Sequence, residues 1–118
     1  MRKLLLLLCF FSLLFTPFSI YAKIDSDYEK GMDYNDNKEY KQALKYFKKS
    51  ADKGNPAAFL EIGSMYATEE GVEKDYKKAL GLYMKSSEQG NVESKKFIED
   101  MFAKGEVKLK VLKKLINY

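Results

Sequence analysis

Ser50 and Lys53 stand three residues apart, the spacing at which an amine could activate a serine hydroxyl as a nucleophile. The pair sits at the end of a repeated helical segment, which favours a structural use over catalysis. Ser86 follows Lys85 directly and lacks that spacing, and Ser64, Ser87 and Ser94 have no base to activate them apart from nearby lysines. Two groups of carboxylates follow: Asp33, Asp36 and Glu39, then Glu69, Glu70 and Glu73 around Gly71. Paired carboxylates can do acid–base work or hold a hard cation. Neither group has the glycine-spaced ligand order of a calcium loop, so both read as solvated loop charges. The chain has no histidine and no tryptophan, and its one cysteine, Cys9, lies in an apolar leader. An imidazole base, a thiol nucleophile and the common zinc ligands are therefore missing from the rest of the chain. There is no glycine-rich phosphate loop. The expectation is no catalytic residue, no cofactor, no metal and no enzyme activity.

The leader has the order of a secretory signal peptide. Arg2 and Lys3 carry positive charge, Leu4 to Phe15 is apolar apart from Ser12, Pro17 breaks helix, and Ala22 offers a small residue for cleavage. The apolar run has 12 residues, and spanning a bilayer takes roughly 20. Cys9 has no small residues before it, which argues against lipid attachment. The reading is a cleavable signal over residues 1–22, a domain over 23–118, and a periplasmic or secreted destination without a stable membrane span. Cleavage removes two of the 21 basic residues and none of the 17 acidic ones, so 19 remain against 17 and the net charge falls from +4 to +2. So small a charge does not point to nucleic acid. Without cysteine the exported domain must hold together by packing alone.

What positions the remaining residues is an internal repeat. Residues 38–55 (KEYKQALKYFKKSADKGN) and 74–91 (KDYKKALGLYMKSSEQGN) match at an offset of 36, with nine of eighteen positions identical. Tyr40, Ala43, Leu44, Phe47 and Ala51 recur at helical spacing, and Tyr76, Ala79, Leu80, Tyr83 and Ser87 repeat the stripe. Before, between and after these blocks, Gly31-Met-Asp-Tyr34 is echoed by Gly63-Ser-Met-Tyr66 and Glu99-Asp-Met-Phe102. Phe59, Ile62, Met65 and Tyr66 mark the first helix of the middle unit. Gly54 and Gly90 stand where helices end, and Asn55 and Pro56 stand where the next begins. No segment alternates with period two, so the expected class is all-α. The expected packing set is Gly31, Tyr34, Ala43, Leu44, Phe47, Phe59, Ile62, Gly63, Tyr66, Ala79, Leu80 and Tyr83. Gly63 costs its helix about 1 kcal/mol relative to alanine, so a close helix approach is the expected reason for it. Tyr66 and Tyr83 are expected to fill the space between successive hairpins.

With those residues in view, Ala58 to Asn91 resembles a Sel1-like repeat, a relative of the tetratricopeptide repeat. The resemblance rests on Ile62-Gly63-x-x-Tyr66, Gly71-Val72-x-Lys74-Asp75-Tyr76-x-Lys78-Ala79 and Ser87-x-x-Gly90-Asn91. Residues 28–55 follow the same pattern with a shorter loop, and 92–118 form a degenerate unit in which Glu99 replaces the packing glycine. The resemblance implies antiparallel hairpins stacked as a short right-handed α-solenoid of about two and a half repeats, with units near 25–55, 56–91 and 92–118. It also implies a scaffold or adaptor rather than an enzyme, although cell-wall or β-lactam-related hydrolase activity is linked to some exported members. Leu109, Val111, Leu112, Leu115 and Ile116 are expected to give the last helix an apolar face.

A hairpin stack curves with its first helices on the concave side. The outward positions there are Tyr28, Met32 and Asn35, then Leu60, Ser64 and Ala67, then Lys96 and Asp100 with Ala103. Tyr28, Met32 and Leu60 are apolar, which marks either an interaction patch or a surface covered by the N-terminal segment. A shallow groove suits a protein or peptide partner, and the imperfect C-terminal cap leaves room for a homodimer. The lysines at 45, 48, 49 and 53 read as a solvated helix face with no aromatic among them. Loose binding to anionic surfaces is the remaining alternative.

Overall fold

A computed structural model describes residues 25–116, and the signal peptide read at residues 1–22 lies outside them. Among the described residues six helices follow one another: α1 (Ser26–Asp36), α2 (Tyr40–Asp52), α3 (Pro56–Thr68), α4 (Tyr76–Glu88), α5 (Glu93–Ala103) and α6 (Leu109–Ile116). No strand occurs among the described residues. The pairs α1/α2 and α3/α4 form hairpins, and α2 against α3 and α4 against α5 join them into a short helical solenoid.

Local chemistry explains where the helices begin. Asp25 accepts a hydrogen bond from the Tyr28 N–H at 3.1 Å, Asn55 Oδ1 from Ala57 N–H at 3.0 Å, and Asp75 Oδ1 from Lys78 N–H at 3.0 Å. Asn91, the repeat partner of Asn55, accepts from Glu93 N–H at 2.9 Å. Each side chain satisfies an N–H that the first helical turn leaves without a partner. Gly54 and Gly90 take φ of 88° and 103°, the left-handed conformation that turns the chain into the next helix. Two residues with side chains also enter this region, Lys38 at 60° and Glu69 at 61°.

The hairpins lock through glycine and an aromatic ring. A Cβ added at Gly31 would lie 2.5 Å from Phe47 Cδ1, and one at Gly63 would lie 2.7 Å from Tyr83 Cε1. Both rings press on the backbone of the facing helix, so Tyr83 fills space inside its own hairpin as well as meeting the next unit. It also lies against Phe97 of α5, with ring centroids 5.3 Å apart. Tyr66 touches two hydrophobic clusters. One holds Ala43, Phe47, Ala51, Ala58, Ile62 and Met65, and the other holds Leu60, Ala79, Leu80, Tyr83, Met101 and Val107. Leu44 and Phe59 are half-buried against the first.

Helix α3 contributes to both clusters and is apolar nearly all round, as a helix covered on two sides must be. Leu60, expected at the surface, is for that reason 6 % exposed. The last unit is looser. Glu99 is exposed, Leu109 is 60 % exposed, and Val111 rests partly buried on the second cluster. The expected inward face of α6 therefore does not include Leu109, while the side chains of Leu112, Leu115 and Ile116 lie outside the described residues.

Candidate functional site: a groove between the first helices

Helices α3 and α5 are the first members of consecutive units, and a groove of about 250 Å³ runs between them. Three residues expected on the concave side meet there: Ser64 and Ala67 from α3 and Asp100 from α5. Tyr83 and Met101 are buried at the floor, and Phe97 forms a wall with 38 % of its surface exposed. The Tyr83 hydroxyl donates to Ser64 Oγ at 3.3 Å. Burial pushes the Tyr83 hydroxyl above its usual pKa, although the contact with Ser64 opposes this. Asp100, Lys104 and Glu106 supply a charged rim of mixed sign. An apolar floor with a polar rim accepts an apolar side chain and orients what carries it.

The other expected partner-binding residues lie elsewhere. Lys96 is exposed on α5 and does not line the groove. Tyr28 and Met32 are half-buried against the first cluster, with the Tyr28 and Phe47 rings 5.8 Å apart, and Asn35 is half-buried farther along α1. Leu60 belongs to the core. A residue the sequence did not single out, Glu61, stands on α3 within 3.5 Å of the Tyr28 hydroxyl, which donates to it. Burial raises the Glu61 pKa above the ordinary value, and the nearby charges of Glu93 and Glu70 add to the effect, while the Tyr28 bond opposes it.

The Ser50 and Lys53 pair is occupied structurally. Ser50 Oγ and Asn55 Nδ2 both donate to Asp25 Oδ2, and Lys53 pairs with Asp27. Partial burial alone would raise the Asp25 pKa. The bonds from Ser50, Asn55 and the Tyr28 N–H, with the charge of Lys53, overcome that and hold it below the usual carboxylate value. Ser86, the repeat partner of Ser50, donates to the Pro56 carbonyl at 2.6 Å and accepts from Ser94 at 2.8 Å. Ser50 and Ser86 thus each tie the end of a second helix to the start of the first helix of the same unit.

The outer lysines are arranged differently from the expectation. Lys53 leaves the group for Asp27, and an aromatic does stand among the rest. Tyr46 stacks on Tyr34 at 5.4 Å, with Lys49, Lys30 and Lys45 at 5.1, 5.6 and 6.0 Å from its centroid. Among the described residues no group of three or more acidic, histidine or cysteine side chains could hold a metal ion, and no helix is long and apolar enough to cross a membrane.

Two comparisons with known proteins bear on this arrangement. No curated protein matches the chain. The family model of the Sel1 repeat matches residues 28–55 and 57–91, together more than half of the chain.

Proposed function

The chain belongs to the Sel1 repeat family, and on that footing we propose that it is an exported interaction module holding a protein or peptide partner in the groove between α3 and α5. Sel1 repeats generally serve as protein-interaction modules and are typically non-enzymatic scaffolds. The observation that carries the reading is the meeting of Ser64, Ala67 and Asp100, from consecutive units, around the apolar floor of Tyr83 and Met101. Its apolar floor and charged rim suit a side chain presented on a peptide or helix. Export rests on the charged start, apolar run and Ala22 of residues 1–22.

Affinity capture from the exported fraction tests the groove with three baits: wild type, Ala67→Arg and Lys96→Glu. The expected outcome is a partner retained by wild type and Lys96→Glu and lost with Ala67→Arg, all three baits giving the same helical circular dichroism. A partner retained equally by Ala67→Arg places the binding surface elsewhere. Mass spectrometry of the exported protein tests the leader, with Lys23 expected as the first residue. An intact Met1 there would make residues 1–22 an anchor.

A further inference from the structure

Helices α2 and α4 are the same helix written twice, but their outer faces differ. Lys45, Tyr46 and Lys48 of the first become Gly81, Leu82 and Met84 of the second. Gly81 lies inside α4 and is not among the glycines with positive φ. A Cβ added there would meet nothing within 4 Å. Neither backbone conformation nor internal packing requires this glycine, yet it costs the helix about 1 kcal/mol relative to alanine. Gly81 lies in a shallow, open depression of about 450 Å³ together with Asp75, Lys77, Lys78, Leu82 and Lys85.

The rim of that depression is cationic and held in place. Lys78 lies three residues before Gly81 and Lys85 four after it, so all three share one helix stripe. The Lys78 ammonium stands 4.7 Å from the Tyr66 ring centroid, and that of Lys85 stands 5.4 Å from Phe59. Each stem therefore lies across an aromatic of α3 with its head at the edge of the depression. Among the described residues neither head has a carboxylate within 4 Å, and the ion pairs there all belong to Lys53. The one acid of the lining, Asp75, caps α4 at its start and leaves the Lys85 end positive.

We propose that this face of α4 docks an acidic amphipathic helix of a partner protein. Its small or apolar residue would sit at Gly81 on the half-buried Leu82, and its two carboxylates, two turns or about 10 Å apart, would meet Lys78 and Lys85. The face is separate from the groove between α3 and α5 and stands or falls independently of it.

The test uses the purified protein and a fluorescein-labelled 16-residue helical peptide. It carries glutamates at positions i and i+7, with alanine and leucine at i+3 and i+4. Fluorescence anisotropy should show binding that weakens as salt rises, and replacing both glutamates with glutamine should weaken it by about tenfold or more. Gly81→Gln should fold with an equal or higher Tm and lose binding by a similar factor, because its side chain fills the depression. Gly81→Ala should raise the Tm. Unchanged peptide binding by Gly81→Gln, no binding by wild type, or a lower Tm for Gly81→Ala each overturns the proposal. So does a dimer in sedimentation that Gly81→Gln dissolves, which makes a second copy the occupant. Gly81-dependent capture by phosphatidylglycerol vesicles without peptide binding makes it a lipid surface and overturns the proposal as well.

Discussion

Gly63 and Gly81 are both interior helix glycines, and the structure gives them opposite meanings. At Gly63 an added methyl would press into the Tyr83 ring. Gly63→Ala should therefore lower stability by about 1–3 kcal/mol despite the better helix propensity of alanine, read from the urea midpoint. The sequence announced Gly63 through its echo of Gly31, because a packing glycine must recur wherever the ring it faces recurs. It did not announce the buried serines. A serine reads as polar surface until the carbonyl or carboxylate it bonds is known, and that partner is fixed only when the helix ends meet. Ser86→Ala should cost about 1–2 kcal/mol by removing the donor to Pro56 and the acceptor for Ser94. Two carboxylates respond oppositely to acid. The Asp25 pKa is lowered on folding, so its contribution is complete above the unfolded value near 4 and is lost as pH falls through its own lower value. Glu61 is raised, so its contribution is complete below the unfolded value and is lost as pH climbs through the folded one. Asp25→Asn should therefore flatten the loss of thermal stability in acid, whereas Glu61→Gln should raise Tm at pH 7 and leave it unchanged near pH 3. An Asp25→Asn protein that loses stability in acid as steeply as wild type would remove the role given to that carboxylate.

Helix boundaries were readable because capping residues and glycines sit where the backbone needs them: Asn55 and Pro56 at one start, Asp75 at another, Gly54 and Gly90 at ends. The surface assignment of α3 was not. Its apolar residues suit either an exposed patch or a helix covered on both sides, and only the position of α5 decides between them. Leu60→Ala should cost about 2–5 kcal/mol, measured by urea denaturation, where a surface leucine would cost little. The tight connection from α1 to α2 holds a second surprise. Lys38 takes a left-handed conformation that costs a residue with a side chain about 1 kcal/mol relative to glycine. Lys38→Gly should recover part of that cost, visible as a higher Tm. The groove was half readable: Ser64, Ala67 and Asp100 follow from helix periodicity, but Phe97 does not, since its exposure depends on how α5 leans on Tyr83.

Each unit touches only its neighbours, so stability runs along the stack as a chain of local terms. The hairpins α1/α2 and α3/α4 are closely packed, while α6 leaves Leu109 in solvent. Native-state hydrogen exchange should therefore show α6 opening first, with α2, α3 and α4 protected longest. Equal protection throughout would mean that the third unit is as well fastened as the others.

The serine tie recurs once per unit, at Ser50 and Ser86, and the junctions after Asn55 and Asn91 are built alike. Each of the first two units thus carries its own tie and opens the helix after it in the same way, 36 residues apart. A gene carrying residues 56–91 in duplicate should yield a longer rod that still folds, and natural lengthening of such a protein demands only a copying error in frame.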